Sequence, residues 1–477
     1  MTLETGTLET ETLETDYLII GAGAAGLAFA DEMLNHSDAH MTLVDKRHAP
    51  GGHWNDAYPF VTLHQPSAFY GVNSKELSDG RIDDRGVNAG YMSLASGAQV
   101  TDYFHSILRD RLLPSGRVSF LPMTQASEDG SLKSMLSGEP QKIHVRRKIV
   151  NAGYQTNSVP RTHERKFKVA PSVRCEPPND LPRLAPDHDR YVVLGAGKTA
   201  IDSLVWMLTN GVSLDAITWV MPRDPWLWNR ATTQPTLSHF EATFGGLAAE
   251  QEALAAATDA ADFAHRMEQS GRWLRIDPSV EPQFFHAATV SEREVSELRK
   301  ISDIIRMGRV QEITEAEIVL DGGRRPTPEG ALVIDCTAQA IAKTPLKTVF
   351  DGNTITVQMI RFPQITFSAA LIAFMEATIY DDAEKNKMAA PIPLPDSIED
   401  YFSTLLPDYM NRYACGQNTE IRRWIAASRL DGFIKVAKSA PEDDAEKQAC
   451  LKRLRDATMP AAAGLQRLVA QSSTDGA

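Results

Sequence analysis

The stretch Asp16–Asp45, DYLIIGAGAAGLAFADEMLNHSDAHMTLVD, decides the fold. An apolar run, Tyr17-Leu18-Ile19-Ile20, leads into Gly21-Ala22-Gly23-Ala24-Ala25-Gly26. An Ala-rich segment of helical composition follows, and a second apolar run, Met41 to Val44, ends on Asp45. Strand, tight turn, helix and strand in this order make a dinucleotide-binding βαβ unit. Each glycine has its own reason: Gly21 permits the turn, Gly23 lets backbone approach a pyrophosphate, and Gly26 lets the helix pack close to the strand. The helix, opening at Ala24, turns its unpaired N–H groups and positive dipole end toward the phosphates. Asp45 falls 19 residues after Gly26, where a carboxylate accepts hydrogen bonds from ribose hydroxyls, with Lys46 beside it.

The pattern returns at Tyr191-Val192-Val193-Leu194 followed by Gly195-Ala196-Gly197-Lys198-Thr199-Ala200, a helix through Leu208 and a strand from Ala216 to Met221. Ala200 stands in the third glycine position, where a methyl still lets helix and strand pack. Two units imply two dinucleotides, and hence an α/β chain of two Rossmann-like domains. The second unit ends on Met221-Pro222-Arg223-Asp224-Pro225 in place of a lone acid. Arg223 is set to meet a 2′-phosphate through charge-assisted hydrogen bonds, which predicts NADP(H) over NAD(H), with Lys198 and Arg230 as auxiliary groups. The plainer reading is a surface pair between Arg223 and Asp224.

The chain has 477 residues, 43% of them apolar, enough for more than one ordinary core. A net charge of −13 argues against a broad nucleic-acid or anionic-membrane surface. Cys175, Cys336, Cys415 and Cys450 lie far apart without a C-x-x-C pair, so neither a zinc site nor a disulfide scaffold is expected. They read as reduced, buried residues of a cytoplasmic protein. No apolar run reaches the ~18–20 residues of a membrane span. The opening residues 1–15 repeat Thr-Leu-Glu-Thr, lack the features of a signal peptide, and read as a disordered arm.

Past the first unit comes Pro50-Gly51-Gly52-His53-Trp54. With the first fingerprint, Gly-Gly-x-Trp a few positions after the ribose acid resembles the flavin-containing monooxygenase superfamily, in which this loop passes the FAD. The resemblance sets Gly52, His53 and Trp54 against that cofactor. Lys148 to Tyr154 resembles the Ala-Thr-Gly-Tyr segment closing the first half of the FAD domain, with Asn151 and Ala152 in place of the usual Ala and Thr, and Gly153 kept. Ala331 to Ala338 resembles the second closing strand, which brings Thr337 and Ala338 to the FAD pyrophosphate and ribityl region. The loop Thr62–Gly71 offers His64, Gln65 and Ser67 to the flavin's reactive edge, unless these groups satisfy each other at the surface.

The resemblance covers most of residues 16–340 and implies a domain plan. FAD is held by residues 16–155 plus 328–477, with a helical C-terminal part and a mobile tail. NADPH is held by residues 188–327, with a helical insert at about 238–307 that serves as lid or dimer surface. The implied reaction passes hydride from NADPH to FAD, captures O₂ as a flavin C4a-(hydro)peroxide, and oxygenates a nucleophilic nitrogen or sulfur of a small organic molecule. Trp54, His64, Gln65 and Ser67 are then the side chains nearest the chemistry. No metal, nucleic acid or membrane partner is expected, and a homo-oligomer is left open. Trp273, Phe284, Phe285 and His286 in the insert point to an aromatic or amine-bearing substrate.

One family element is missing. The Phe-x-Gly-x-x-x-His pattern that precedes the second glycine motif has no match between Gln155 and Arg190, where His163 and Phe167 occur without the glycine or the spacing. An FAD-dependent NADPH oxidase or reductase, a Baeyer–Villiger-type enzyme, and a non-catalytic NADPH-binding sensor therefore stand as alternatives.

Overall fold

The computed structural model describes residues 12–155, 157–338 and 344–474. Of the predicted arm over 1–15, residues 1–11 lie outside this description, while Leu13–Thr15 open the first strand, Leu13–Ile20. The reason is its neighbour: strand Ile143–Asn151 is long enough to pair with Leu13, Glu14 and Thr15 as well as with the apolar run.

The first sheet has the order Phe350–Asp351, Thr354–Thr356, Ile143–Asn151, Leu13–Ile20, Met41–Val44, Val118–Leu121. All neighbours run parallel except the hairpin formed by its first two members. Tyr17 faces Met41, and Ile20 lies between Val44 and Asn151. Helix Ala24–His36 covers this sheet and packs against helix Ile365–Thr378, whose residues Thr366 to Met375 are all buried. A helix apolar on every face sits inside a core rather than on a surface. Residues 124–141 form a three-stranded flap, as the Asp-Gly and Ser-Gly turns predict.

The second sheet is parallel, in the order Ile304–Ile305, Ile217–Val220, Tyr191–Leu194, Leu332–Asp335, Cys175–Glu176. This corrects the expected domain plan. Leu332–Asp335 pairs with Tyr191–Leu194 and so closes the second unit, while the chain returns to the first sheet only at Phe350–Thr356. Cys175–Glu176, from the stretch between the two glycine units, is the edge strand of the second sheet. An apolar run of four residues carries no mark of which of two similar sheets it joins.

The insert, expected to be helical over about 238–307, is helical over Phe240–Ala256, Ala260–Gln269 and Glu292–Leu298. Trp273–Leu274 and Phe284–Val290 flank strand Pro225–Asn229 in a small sheet, and helix Glu292–Leu298 is started by a Ser291/Glu294 capping box. Trp273 and Phe285 stack at 4.5 Å and are fully buried, together with Trp226 and Tyr401. They build a core between this small sheet and helix Ile398–Gln417, which removes them from the substrate-lining role read in the sequence. The tail expected to be mobile is helix Ala445–Thr474, laid along helix Phe240–Ala256.

That crossing depends on Gly464, where an added Cβ would sit 2.0 Å from the Leu254 carbonyl oxygen. Gly464→Val therefore forces the two helices apart. Overpacking of this kind costs about 1–3 kcal/mol, and the expected result is a lower urea midpoint with the far-UV spectrum of the folded protein retained.

Candidate functional site: two sheet switch points

In an open parallel sheet, ligands sit beyond the carboxyl ends of the strands where strand order reverses. In the first sheet that point lies between Leu13–Ile20 and Ile143–Asn151, and in the second between Tyr191–Leu194 and Leu332–Asp335. The same contact recurs at both. Gly21 has φ +102° and a Cβ there would lie 3.2 Å from Gly153 N; Gly195 has φ +115° and a Cβ there would lie 2.8 Å from the Cys336 carbonyl oxygen. Each first glycine is thus required twice, by its backbone angle and by the returning chain segment.

The remaining glycines differ. A Cβ at Gly26 would fall 1.9 Å from the Gly21 carbonyl oxygen, which fixes the helix against the turn. Gly23 lies against the second glycine loop: a Cβ on Gly52, whose φ is +57°, would meet Gly23 Cα at 3.0 Å, and Gly51 N–H donates to the Ala22 carbonyl at 2.8 Å. Gly197 has open space where its Cβ would be. Helices Ala24–His36 and Lys198–Thr209 both start on these glycines without a side-chain cap and without an acid in the first turn. Free N–H groups, a bare glycine edge and the positive end of a dipole are what a pyrophosphate needs, so both switch points fit a dinucleotide. Ala24, Thr199 and Ala200 lie in the first turns of these two helices.

Asp45 is buried, and both its oxygens already serve the turn: Oδ2 accepts from Ala22 N–H and Oδ1 from Arg47 N–H, each at 2.8 Å. It shapes the glycine turn, and only its remaining lone pairs are left for a ribose. Lys46 beside it is exposed. Trp54 is half-buried, stacks on His53 at 5.2 Å and donates its indole N–H to the Tyr70 hydroxyl at 2.8 Å. His64 and Gln65 are half-buried on the same loop system. Ser67 is not available to a cofactor. It is 1% exposed, donates to the Ser93 carbonyl at 2.9 Å and accepts from Ala95 N–H at 2.6 Å, so it latches the loop to the chain ahead of the next helix.

The second unit also departs from expectation. Lys198 is buried and its ammonium pairs with Asp202 and, at 3.2 Å, with Glu294, so it does not reach toward a phosphate. Arg230 is 1% exposed and pairs with Glu294 at 2.6 Å. Neither serves as an auxiliary for a 2′-phosphate. Arg223 remains at the strand end, over the Phe284 ring and 3.3 Å from Asp396, which also meets His286 at 2.6 Å; Asp224 pairs instead with Arg306. Thr337 donates its hydroxyl to Asp335 at 2.6 Å and lies 3.3 Å from His163 Nε2, while Arg165 meets the other Asp335 oxygen. Thr337 and Ala338 therefore follow the closing strand of the second sheet, not of the first. The cysteines are buried and free, and burial pushes the thiols of Cys175 and Cys415 up to about 12 and about 11.

Sequence reasoning missed Tyr58, Asp202 and Glu294. Tyr58 donates to Asp202 Oδ2 at 2.6 Å across the two units. A tyrosine four residues past Trp54 and an acid four residues past Lys198 were a legible i, i+4 pair on the second helix only, since Glu294 arrives from far along the chain.

Two half-buried histidines of this loop system are held neutral. Desolvation, with Arg47 adding to it, pushes His53 down to about 4. Desolvation, with Lys198 and Arg230 adding to it, pushes His64 down to about 3.

The chain is thus a protein of two Rossmann-type dinucleotide-binding units. Residues 19–72 match the model of an NAD(P)-binding Rossmann-like domain. It is 45% identical over 419 residues to the uncharacterized protein Rv2000 of Mycobacterium tuberculosis H37Rv, a match spanning 87% of this chain and 77% of that one, and it belongs to the family of that mycobacterial protein. Among solved structures it is similar to an open form of cyclohexanone monooxygenase (13% identity, TM-score 0.49, 94% of this chain and 99% of that one). It is also similar to a mutant flavin monooxygenase from Stenotrophomonas maltophilia (14% identity, TM-score 0.46, 77% and 98%). Likeness at that level carries no functional argument. Among the described residues no helix is long and apolar enough to cross a membrane, and no cluster is arranged to hold a metal ion.

The unfolded chain takes up protons on its imidazoles below about pH 6.5, whereas folded His53 and His64 do so only near pH 4 and pH 3. The unfolded state then binds more protons, so stability falls as pH drops through this window. His64→Gln is expected to lose less urea resistance between pH 7 and pH 5 than the parent protein does.

Proposed function

We propose that the chain is an FAD- and NADPH-dependent monooxygenase that transfers one oxygen atom of O₂ to a nucleophilic nitrogen or sulfur of a small organic molecule, the other atom leaving as water. The observation that carries this reading is the pair of uncapped glycine-turn helices at two sheet switch points, with the Gly51-Gly52-His53-Trp54 loop lying back to back with the first of them. In this assignment Gly21, Gly23, Gly26, Gly52 and Gly153 frame FAD, and Gly195, Gly197 and Arg223 frame NADPH.

Bound FAD supplies both the hydride acceptor and the centre that activates oxygen. The chain supplies position and dryness. Trp54 is held in one orientation by its bond to Tyr70 and by His53. The desolvation that keeps His53 and His64 neutral is the condition under which an activated oxygen is sheltered from stray protons and water. Arg223 meets the 2′-phosphate by exchanging its contact with Asp396 for the stronger anion.

A disulfide-reductase reading loses support from the thiols. All four cysteines are buried, none bonded to another, and burial suppresses the thiolate such chemistry needs. An NADPH oxidase keeps one specific support, the absence of the Phe-x-Gly-x-x-x-His pattern, with His163 instead placed 3.3 Å from Thr337.

The test begins with the protein as purified, which is expected to be yellow and to be bleached by NADPH without oxygen. Reoxidation in air with an added tertiary amine or thioether is expected to yield a product 16 mass units heavier, with peroxide well below the NADPH consumed. Stoichiometric peroxide with every nucleophile offered would make it an oxidase, and a colourless protein that still binds NADPH would make it a sensor.

A further inference from the structure

Loop 58–64 of the first unit docks onto the second unit through a buried set of charges. Helix Lys198–Thr209 presents Lys198, Asp202 and Trp206 at i, i+4 and i+8, on one face. Tyr58 donates to Asp202 at 2.6 Å, and two residues on, Phe60 stacks on Trp206 at 5.4 Å. Lys198 bridges Asp202 and Glu294, and Glu294 in turn meets Arg230 at 2.6 Å. Arg230 then reaches back to the first unit, donating to the His64 carbonyl and to the Asn88 side chain, both at 3.3 Å.

Two cations and two carboxylates balance, and the four side chains are at most a tenth exposed. Burial raises Asp202 above its ordinary value despite the pull of Lys198 and Tyr58, whereas Lys198 is held above its ordinary value by Asp202 and Glu294, and Glu294 is lowered to about 2 by Lys198 and Arg230. Such a set is costly to break at one member, because the partner left behind is a buried charge. It therefore defines one geometry. The loop it fixes carries His64 and adjoins Trp54, and the helix it fixes is the one that opens on Gly197.

We propose that Lys198, Asp202, Arg230 and Glu294, reached by Tyr58 and by the His64 carbonyl, are the positioning device that holds the two dinucleotide units at hydride-transfer distance. The proposal rests on the reading that each unit carries its own dinucleotide. Hydride transfer needs reacting atoms about 3–3.5 Å apart, and a misplacement of about 1 Å costs on the order of a hundredfold. Tyr58 and the charged residues act through the loop and the helix, and none of them is a catalytic residue.

The experiment compares the parent protein with Tyr58→Phe and Lys198→Met, as purified. The first reading is amide hydrogen exchange over residues 57–64, which is expected to speed up at least tenfold in both variants, since Val61 and Leu63 N–H are protected by the folded loop. The second is anaerobic flavin reduction by NADPH. The limiting rate per bound flavin is expected to fall roughly tenfold or more, with the NADPH dissociation constant and the air reoxidation rate of photoreduced flavin unchanged. A lowered melting temperature with unchanged exchange and an unchanged limiting rate would leave the charges merely structural and overturn the proposal. A parent protein that NADPH does not reduce would overturn the two-dinucleotide reading itself, and the proposal with it.

Discussion

The fold turns on the space denied to side chains at two strand ends. At Gly26 the helix lies so close to the preceding turn that a methyl would overlap the Gly21 carbonyl at 1.9 Å. At Gly195 the chain returning from Asp335 leaves only 2.8 Å between a would-be Cβ and a backbone oxygen. These are backbone-to-backbone contacts, so no rotamer change relieves them, and a packed interior transmits the displacement instead of absorbing it. Because the contacts sit where strand order reverses, the residues that fix each sheet's connectivity also shape its binding crevice. Asp45 follows the same logic: the acid that a ribose would meet is also the acceptor that ties down Ala22 and Arg47.

Local pattern made both units legible, because strand, turn and helix each leave a mark within a few residues. What the pattern did not carry was membership. Leu332–Asp335 closes the second sheet and the hairpin Phe350–Thr356 joins the first, and only long-range pairing distributes them between the sheets. The same limit hid the C-terminal helix. Ala445–Thr474 is rich in charge and looks like a solvated tail, yet Ala461, Gly464, Leu465 and Leu468 form one narrow stripe that fits helix Phe240–Ala256. Its partner lies some two hundred residues earlier in the chain.

The candidate site divides along similar lines. The glycines are legible because their role is steric and local. Trp54 and His64 stand out in the sequence because they sit on loops next to those glycines. Lys198, Arg230 and Ser67 were misjudged because polar type alone does not say whether a group faces a ligand or another side chain. In each case the structure supplies a protein partner: Asp202 and Glu294 for Lys198, Glu294 for Arg230, and the backbone of Ser93 and Ala95 for Ser67. A cation one residue past a glycine turn reads as a phosphate ligand until its i+4 neighbour is recognised as an acid.

That neighbour also sets the charge around His64. Burying an unpaired lysine beside His64 would be costly, and it would place a bare positive charge between the two units. Pairing it with Asp202 and Glu294 cancels the charge at long range while leaving enough local field, with desolvation, to keep His64 neutral. The balance has a geometric consequence. A neutral set of four charges is stable only in the arrangement that pairs them, so the second unit's helix and the first unit's loop are held in a fixed relation by the same groups that set the electrostatics between them. In a chain built from two repeated units, the contact between the units cannot come from the repeat itself, and here it comes from residues that break the repeat: Tyr58, Lys198, Asp202, Arg230 and Glu294.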